Sequence, residues 1–299
     1  MQRIQELPDA AILGPDLQLL EAQIELRERH YEHASERFRQ LASVCAEPHR
    51  KHLYLFPLAK ALDARRQYDE TYRCLVDAHE AQLLHLARTN PDAAGLREPP
   101  LLITRYGCTS VDIAAWDESE APSVTESPVF IVAFPRSGTT LLEQMLDAHP
   151  ALVSMDEQPF LQQAIDQITD LGIDYPAALA RLTTSQLGQV REHYWSLTRR
   201  KVQLSPGQRL IDKNPLNLLR LPVIRRLFPN AQILLAIRHP CDVVLSCFMQ
   251  HFRSPEFALL CRDLPTLARG YVRSFDFWYE QLPLLQPAVR EIRYEHFVA

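Results

Sequence analysis

From residue 129 onward, short apolar runs alternate with longer segments whose apolar residues recur at helical spacing. The apolar runs, 129–134, 209–211, 232–237 and 289–293, predict strands. The segments 158–170, 185–200, 216–228, 242–252 and 266–281 predict helices. Strands that alternate with helices predict an α/β fold in which a parallel sheet carries helices on both faces.

Residues 16–90 contain little glycine or proline and predict an all-helical region at 1–95. Two segments share the same apolar steps, and the second begins 37 positions after the first: Tyr31, Ala34, Phe38, Leu41 and then Tyr68, Thr71, Leu75, Ala78. This offset is near the period of about 34 residues that is typical of tetratricopeptide repeats. Any pair of amphipathic helices could produce the same pattern, so a generic helical domain is the alternative.

A linker at 96–128 separates the helical region from the predicted sheet. It contains Pro99-Pro100 and an acidic run rich in serine and proline at 117–128. Such residues break regular structure. The third predicted region, 129–299, is the α/β domain.

Composition excludes several classes of protein. A net charge of -5 argues against a general nucleic-acid binder. The six cysteines include no Cys-x-x-Cys pair, which excludes the common zinc spacings and favours a reduced, cytoplasmic protein. The N-terminus lacks an apolar signal core, and there is no run of about 18 apolar residues, so we expect no membrane span.

The most informative segment is the turn after the first apolar run. It consists of Pro135, Arg136, Ser137, Gly138, Thr139 and Thr140, and the last two residues open a helix. The first N–H groups of a helix lack internal partners, and the helix dipole favours negative charge there. A strand, a tight loop and a helix start therefore predict a site for a phosphate-like anion.

The predicted sheet and loop are P-loop-like in geometry, but the loop lacks the lysine of nucleotide triphosphatases. When the two loops are aligned on Gly138, Ala133 takes the place of the first glycine and Thr139 that of the lysine, while Arg136 lies inside the loop. No apolar strand ends in an obvious carboxylate for magnesium. A nucleotide kinase is therefore a weaker hypothesis, and a capped strand–helix turn without a ligand is the structural alternative.

Two further strand ends bring polar side chains to the same edge of the sheet, where ligands of parallel sheets bind. Arg238 follows the strand at 232–237, and Ser246 lies on the next helix, so the two could bind a second phosphate. Alternatively, Arg238 pairs with Asp242 and Ser246 is solvated. Lys213 follows the strand at 209–211, where it could neutralise charge during a transfer reaction or simply be an exposed turn lysine.

Asp156 and Glu157 precede a predicted helix. An acid at a helix start usually stabilises the helix. This segment would nevertheless follow a second strand of the sheet, where an acid could accept a proton from a substrate hydroxyl.

Taken together, the order of these motifs resembles the sulfotransferase superfamily. The resemblance is strongest to tyrosylprotein-type enzymes and to bacterial proteins that join tetratricopeptide-like repeats to a sulfotransferase domain. The matching segments are 135–140, 146–150, 212–215, 227–230 and 293–298, together with Arg238 and Ser246, which lie eight positions apart.

The resemblance implies a sulfotransferase whose donor is 3′-phosphoadenosine-5′-phosphosulfate (PAPS). It implies that residues 135–140 bind the 5′-phosphosulfate and that Arg238 and Ser246 bind the 3′-phosphate. Glu157 is implied as the base that deprotonates the acceptor hydroxyl, with Arg136 and Lys213 stabilising the transferring group. No metal is expected, because a sulfuryl group bears less charge than a phosphoryl group.

Two departures from the family pattern matter. No histidine stands close after Lys213, which favours the branch with a glutamate base. Relatives usually continue past the last strand with a segment that covers the donor, so a chain that stops at Ala299 is expected to be truncated. The acceptor could be a peptide, a carbohydrate, a lipid or a small molecule. The rival hypothesis is a scaffold protein with an inactive transferase domain, whose helical region binds a partner or a second copy.

Overall fold

A computed structural model of the chain describes residues 14–96 and 107–298. These residues form two compact units. The first comprises the described residues up to 96 together with Val244–Gly270, and the second comprises 107–243 and 271–298. The chain therefore leaves the second unit after β4 and comes back to it within a long helix. The predicted domain boundaries at residues 95 and 128 stay a prediction. That prediction does not assign residues 244–270 to the helical region.

The elements follow one another in this order. The helices are α1 (Gly14–Arg27), α2 (Tyr31–Val44), α3 (His52–Ala64), α4 (Tyr68–Thr89), α5 (Pro91–Ala94), α6 (Ser110–Ala114), α7 (Thr139–Asp147), α8 (Phe160–Asp170), α9 (Thr184–Lys201), α10 (Leu221–Leu227), α11 (Pro240–Phe248), α12 (Pro255–Leu260), α13 (Leu264–Leu285) and α14 (Tyr294–Phe297). The strands are β1 (Val129–Ala133), β2 (Leu152–Ser154), β3 (Arg209–Lys213), β4 (Gln232–Ile237) and β5 (Ala288–Arg293). Short 3₁₀ turns lie at Pro48–Arg50, Leu179–Arg181 and Pro215–Arg220.

The first unit is helical. The matching apolar steps of the sequence are buried on α2 and α4: Ala34, Phe38 and Leu41 on the former, Thr71, Leu75 and Ala78 on the latter. Tyr68, by contrast, is 61% exposed. These positions explain the periodicity as two packed helix faces. The relation of these helices to tetratricopeptide repeats stays a prediction.

The second unit contains a five-stranded sheet in the order β2-β3-β1-β4-β5, and all neighbouring strands are parallel. This confirms the predicted α/β fold. All five residues of β1 are buried. Phe130 and Val132 pack into one hydrophobic cluster, whereas Ile131 and Ala133 pack into another on the opposite face. Burial on both faces explains the continuous apolar run.

Several predicted boundaries are wrong for identifiable reasons. β1 ends at Ala133, because the chain turns from Phe134 onward, whereas β3 continues past Ile211 to Lys213 and pairs with β1 there. The predicted helix 216–228 is instead a 3₁₀ turn followed by α10, which has a proline in its first turn. The helix predicted at 242–252 ends at Phe248, and α12 follows it.

Asp212 is an acidic residue that is fully buried within β3. Its carboxylate accepts hydrogen bonds from the Tyr194 hydroxyl at 2.7 Å and from the Asn217 side-chain amide at 3.2 Å. Burial raises the pKa of Asp212 to about 7, although both hydrogen bonds oppose that rise. Asp212 thereby ties the end of β3 to α9 and to the 3₁₀ turn beside it, which holds the neighbouring Lys213 in place.

None of the described helices combines the length and the apolar character needed to cross a membrane. All six cysteines lie in the described part of the chain, and none forms a disulfide. Burial raises the pKa of the Cys74 and Cys108 thiols to about 12, so both stay protonated at neutral pH.

The substitution Tyr194→Phe removes one donor from the buried Asp212. We expect it to lower the free energy of unfolding of the second unit by about 1–3 kcal/mol, and by more at about pH 8.5 than at about pH 6. The direction follows because the raised pKa of Asp212 means that its stabilising contribution is lost as pH rises through about 7. Without the Tyr194 hydroxyl, the ionised carboxylate of Asp212 has fewer hydrogen-bond donors, so its burial destabilises the fold more.

Urea titrations followed by tryptophan fluorescence measure this effect, because Trp116, Trp195 and Trp278 all belong to the second unit. Tyr68→Phe, at an exposed position of the first unit, is the matched control. A loss for Tyr194→Phe that is equal at both pH values would contradict the role of Asp212.

Candidate active site

The predicted anion loop connects β1 to α7 and bends sharply. Gly138 has φ +88°, and a Cβ added there would lie 2.4 Å from Cδ2 of Tyr294. Glycine is therefore required twice, for its backbone conformation and for the close approach of the tyrosine ring. Arg136 also has a positive φ, of 71°, which is uncommon outside glycine and often marks a functional loop.

The start of α7 presents backbone N–H groups rather than a side-chain cap. Gly138 occupies the N-cap position and makes no side-chain cap hydrogen bond. The hydroxyl of Ser137 is buried and donates to the Phe134 carbonyl oxygen at 2.7 Å, so it closes the loop from inside. Thr139 is buried, whereas Thr140 is exposed. The unpaired N–H groups of the first turn suit an anion.

Lys213, at the end of β3, lies between two carboxylates. Its Nζ is 2.8 Å from Oε1 of Glu157 and 3.1 Å from Oε2 of Glu143. The structure thus brings together two of the predicted site residues, Lys213 and Glu157. Burial by itself would lower the pKa of Lys213, but the hydrogen bonds and charges of Glu157 and Glu143 outweigh burial and raise it. The lysine is therefore held as a cation.

The two carboxylates differ in exposure. The side chain of Glu143 is 5% exposed, whereas that of Glu157 is 56% exposed. Glu157 is thus bound through one oxygen to the lysine, and no described residue hydrogen-bonds its Oε2. This is the arrangement of a carboxylate that is fixed on one side and accessible to a substrate on the other.

Glu143 is a site residue that the sequence reasoning misses. It lies on α7, one position after the buried Leu142, and its Oε1 accepts a short hydrogen bond from the hydroxyl of Ser154 at the end of β2. Glu143 therefore links the helix of the anion loop to β2 and to Lys213. A signal was present in the sequence, since Thr139, Leu142, Glu143 and Leu146 share one helix face, on which a glutamate is exceptional.

Backbone contacts place Glu157. The Ser154 N–H donates to Asp147 Oδ1 at 2.6 Å, which ties β2 to the end of α7. Asp156 has φ +59°, a left-handed conformation that turns the chain just before Glu157. On the other side, the Asn214 amide donates to the Gln158 carbonyl oxygen at 3.2 Å. The segment that carries Glu157 is thus held from both β2 and β3.

Arg238 follows β4 and lies on the ring of Tyr294, 4.8 Å from the ring centroid. Its Nη2 is 3.4 Å from Oδ2 of Asp242, the ion pair that the sequence offered as an alternative. Its Nε is shielded from solvent and has no hydrogen-bond partner among the described residues. A buried guanidinium N–H without a partner is costly, and an anionic oxygen would satisfy it.

Tyr294, at the start of α14, is a second residue of the candidate site, and the sequence pattern marks it only as part of the segment 293–298. Its ring contacts Gly138 of the anion loop and stacks on Arg238. The next residue, Glu295, accepts a hydrogen bond from the His239 N–H at 2.7 Å. The end of β5 therefore joins the loop after β1 to the loop after β4.

Ser246 lies on α11, in the part of that helix that belongs to the first unit, whereas Arg238 belongs to the second. Their joint binding of a phosphate stays a prediction. Among the described residues, no three histidine, cysteine or carboxylate side chains are placed to hold a metal ion.

Comparisons with known proteins relate this chain to sulfotransferases. The sequence profile of the sulfotransferase family matches residues 128–299. An uncharacterized protein of Aquifex aeolicus is 26% identical over 245 residues, which cover 76% of this chain and 30% of that protein. Protein-tyrosine sulfotransferase 2 of Gallus gallus is 27% identical over 183 residues, 52% of this chain and 47% of that protein.

Among solved structures, a sulfotransferase from Mycobacterium tuberculosis H37Rv matches 84% of this chain and 79% of its own, with 13% identity and a TM-score of 0.34. The chain spans less than half the length of the two sequence relatives named above. The resemblance that the sequence motifs predict is confirmed by the family match.

The contact between Gly138 and Tyr294 can be tested by Gly138→Ala. We expect this substitution to lower the free energy of unfolding by about 1–3 kcal/mol from backbone strain, with a further loss from the collision with the ring. Gly207→Ala is the matched control, because Gly207 has φ +85° and nothing lies within 4 Å of an added Cβ.

Urea titration of both variants separates the two contributions. Gly138→Ala should lower the free energy of unfolding by less in a Tyr294→Ala background than in the wild-type chain, because the ring that the methyl group meets is gone. Equal losses for Gly138→Ala and Gly207→Ala would show that the ring contact carries no energy.

Proposed function

The chain belongs to the sulfotransferase family, and we propose that it transfers a sulfuryl group from PAPS to an acceptor hydroxyl, with Glu157 as the general base. The observation that carries this proposal is the pair formed by Lys213 and Glu157, whose atoms are 2.8 Å apart at the carboxyl end of β3. β3 pairs in parallel with β1, and the anion loop follows β1. The proposed anion site and the proposed base, with its accessible oxygen, are thus on strands whose carboxyl ends share one edge of the sheet.

The residues fit a phosphosulfate. The uncapped start of α7 and the required glycine at 138 offer backbone N–H groups to an anion that approaches closely. Arg136 and Lys213 offer positive charge near the reacting group. The unpartnered Nε of Arg238 offers a further charged donor for the 3′-phosphate, and we propose Ser246 as its partner in that role.

In the proposed reaction, Oε2 of Glu157 takes the proton of the acceptor hydroxyl. The acceptor oxygen forms a bond to sulfur while the bond between sulfur and the phosphate oxygen breaks, so the donor leaves as 3′-phosphoadenosine 5′-phosphate (PAP). Lys213 and Arg136 stabilise the negative charge that develops on the sulfuryl and bridging oxygens. Such an in-line transfer depends mainly on positioning and charge stabilisation.

The ion pair with Lys213 has a second consequence. It fixes one oxygen of the Glu157 carboxylate and leaves Oε2 available to an acceptor hydroxyl. Glu143 compensates the same lysine from the buried side, and it orients the ammonium without competing for substrate. For the acceptor we propose a hydroxyl, and the name of the Gallus gallus relative makes protein tyrosine a first candidate to assay.

Glu157→Gln tests the base. It preserves the size of the side chain but removes its ability to take a proton, so we expect sulfuryl transfer to fall by about 10²–10⁴-fold. Binding of PAP should change little. The measurements are transfer of radiolabelled sulfate from PAPS to a panel of hydroxyl acceptors, and calorimetry with PAP.

Asp156→Asn is the matched control, because it neutralises the adjacent carboxylate and asparagine tolerates the left-handed backbone at this position. It should retain transfer. Full activity of Glu157→Gln would rule out this residue as the base, and a folded wild-type chain that binds no PAP would rule out the donor.

Arg238→Ala tests the 3′-phosphate site. Loss of a charged hydrogen bond should weaken binding of PAP by about 1.5–3 kcal/mol. Adenosine 5′-phosphate, which lacks the 3′-phosphate, should lose much less affinity. Calorimetric titration of both nucleotides gives the comparison, and an equal loss for the two would refute the assignment.

A further inference from the structure

The first unit contains a cavity of about 840 Å³ that none of the proposed catalytic or donor-binding residues lines. Helices α1, α3 and α4 surround it together with the turn Pro48–Arg50 and the segment 249–253. Its volume is in the range of about 300–1,000 Å³ that is usual for small-molecule sites. The cavity is therefore large enough for a ligand of its own.

The charged residues that line this cavity are all cations. Arg50, Lys60 and Arg253 contribute to the lining, and no aspartate or glutamate does. None of these three forms an ion pair with a described residue. Other cations of the unit do form ion pairs, as Arg37 does with Glu21 and Glu25 at 2.8 and 2.9 Å. In a chain of net charge -5, three uncompensated cations at one cavity favour an anionic ligand.

Aromatic rings form one wall of the cavity. The ring centroids of His49 and His85 are 6.0 Å apart, those of His52 and His85 are 5.0 Å apart, and those of His52 and His251 are 4.9 Å apart. Phe56 continues the row, stacked on His251 with the centroids 5.0 Å apart. Rings in such a row offer flat faces on which a planar group can stack.

Burial lowers the pKa of His52 to about 4, and its Nδ1 donates to the His49 carbonyl oxygen at 2.7 Å. His52 is therefore neutral at pH 7, and the positive charge of the cavity comes from the arginines and the lysine. The Nδ1 of His85 is shielded from solvent without a hydrogen-bond partner among the described residues. This buried nitrogen without a partner indicates that the side chains of the wall do not satisfy all of their hydrogen-bonding groups among themselves.

The wall contributed by 249–253 is held in position by α4. His79 Nε2 donates to the Phe248 carbonyl oxygen at 2.8 Å, and the Gln82 amide donates to the Phe252 carbonyl oxygen at 2.5 Å. These bonds join residues that are 169 and 170 positions apart in the sequence. A ligand would therefore meet a formed cavity and lose little affinity to ordering.

From the ring wall and the three uncompensated cations, we propose that this cavity binds a planar organic anion, an aromatic ring that carries a sulfonate, carboxylate or phosphate group. The ring stacks on the row in which Phe56, His251, His52 and His85 follow one another. The anionic group is bound by Arg50, Lys60 and Arg253. Arginine suits such groups because its guanidinium can donate two parallel hydrogen bonds.

The test is calorimetric titration of the full 299-residue chain with naphthalene-1-sulfonate, in the presence of saturating PAP. We expect saturable binding at one site. Lys60→Gln combined with Arg253→Gln should weaken it by about tenfold or more, because two charged contacts are lost. Arg88→Gln, at an exposed position of α4 outside the cavity lining, is the matched control and should leave binding unchanged.

A neutral analogue separates charge from apolar burial. Naphthalene-1-methanol should bind at least about tenfold more weakly than the sulfonate if the cations recognise the anionic group. Circular dichroism establishes that the variants are folded, and His251→Ala tests the ring wall separately. The proposal is overturned if the wild-type chain does not bind the sulfonate, if the double variant binds it as well as Arg88→Gln does, or if the alcohol binds equally well.

Discussion

The candidate site depends on one buried cation, the ammonium group of Lys213. Taking a charge out of water is costly unless it is paired, and here two carboxylates lie within 3.1 Å of it. One of them, Glu143, is buried on the helix of the anion loop, and the other, Glu157, is accessible. Because the Lys213 ammonium group needs both carboxylates to compensate its charge, its position fixes the distance between the anion loop and the proposed base. Loss of either carboxylate would leave a buried charge without full compensation.

A second constraint is the packing of a tyrosine ring on a glycine. Tyr294 contacts Gly138 on one side and stacks on Arg238 on the other. The three residues come from the loop after β1, the loop after β4 and the end of β5, which are neighbours in the sheet. The ring therefore relates two proposed anion-binding groups, the loop at Gly138 and the side chain of Arg238. Lys213 and Tyr294 thus hold opposite sides of the same sheet edge.

Local sequence predicts much of the fold because burial on both faces leaves a clear signal. β1 reads as a continuous apolar run, and β4 has the predicted bounds Gln232–Ile237. β3 is underestimated, because Asp212 and Lys213 are charged and only their partners make them tolerable inside a sheet. Glu143 is missed for the same reason. Its partner Lys213 is 70 positions away, and only the parallel pairing of β3 with β1 brings β3 beside α7.

The amino-acid sequence alone predicts the α/β alternation and a glycine-containing anion loop. It also predicts Arg136, Lys213, Glu157 and Arg238 as site residues, because each follows an apolar strand or lies in a motif. Which of these residues meet is visible only in the folded chain. The tertiary structure pairs Lys213 with Glu157, adds Glu143 and Tyr294, and gathers three cations and a row of rings around a cavity in the other unit. The physical reason is that charge compensation and ring stacking act between residues that are close in space, and such proximity has no local pattern along the chain.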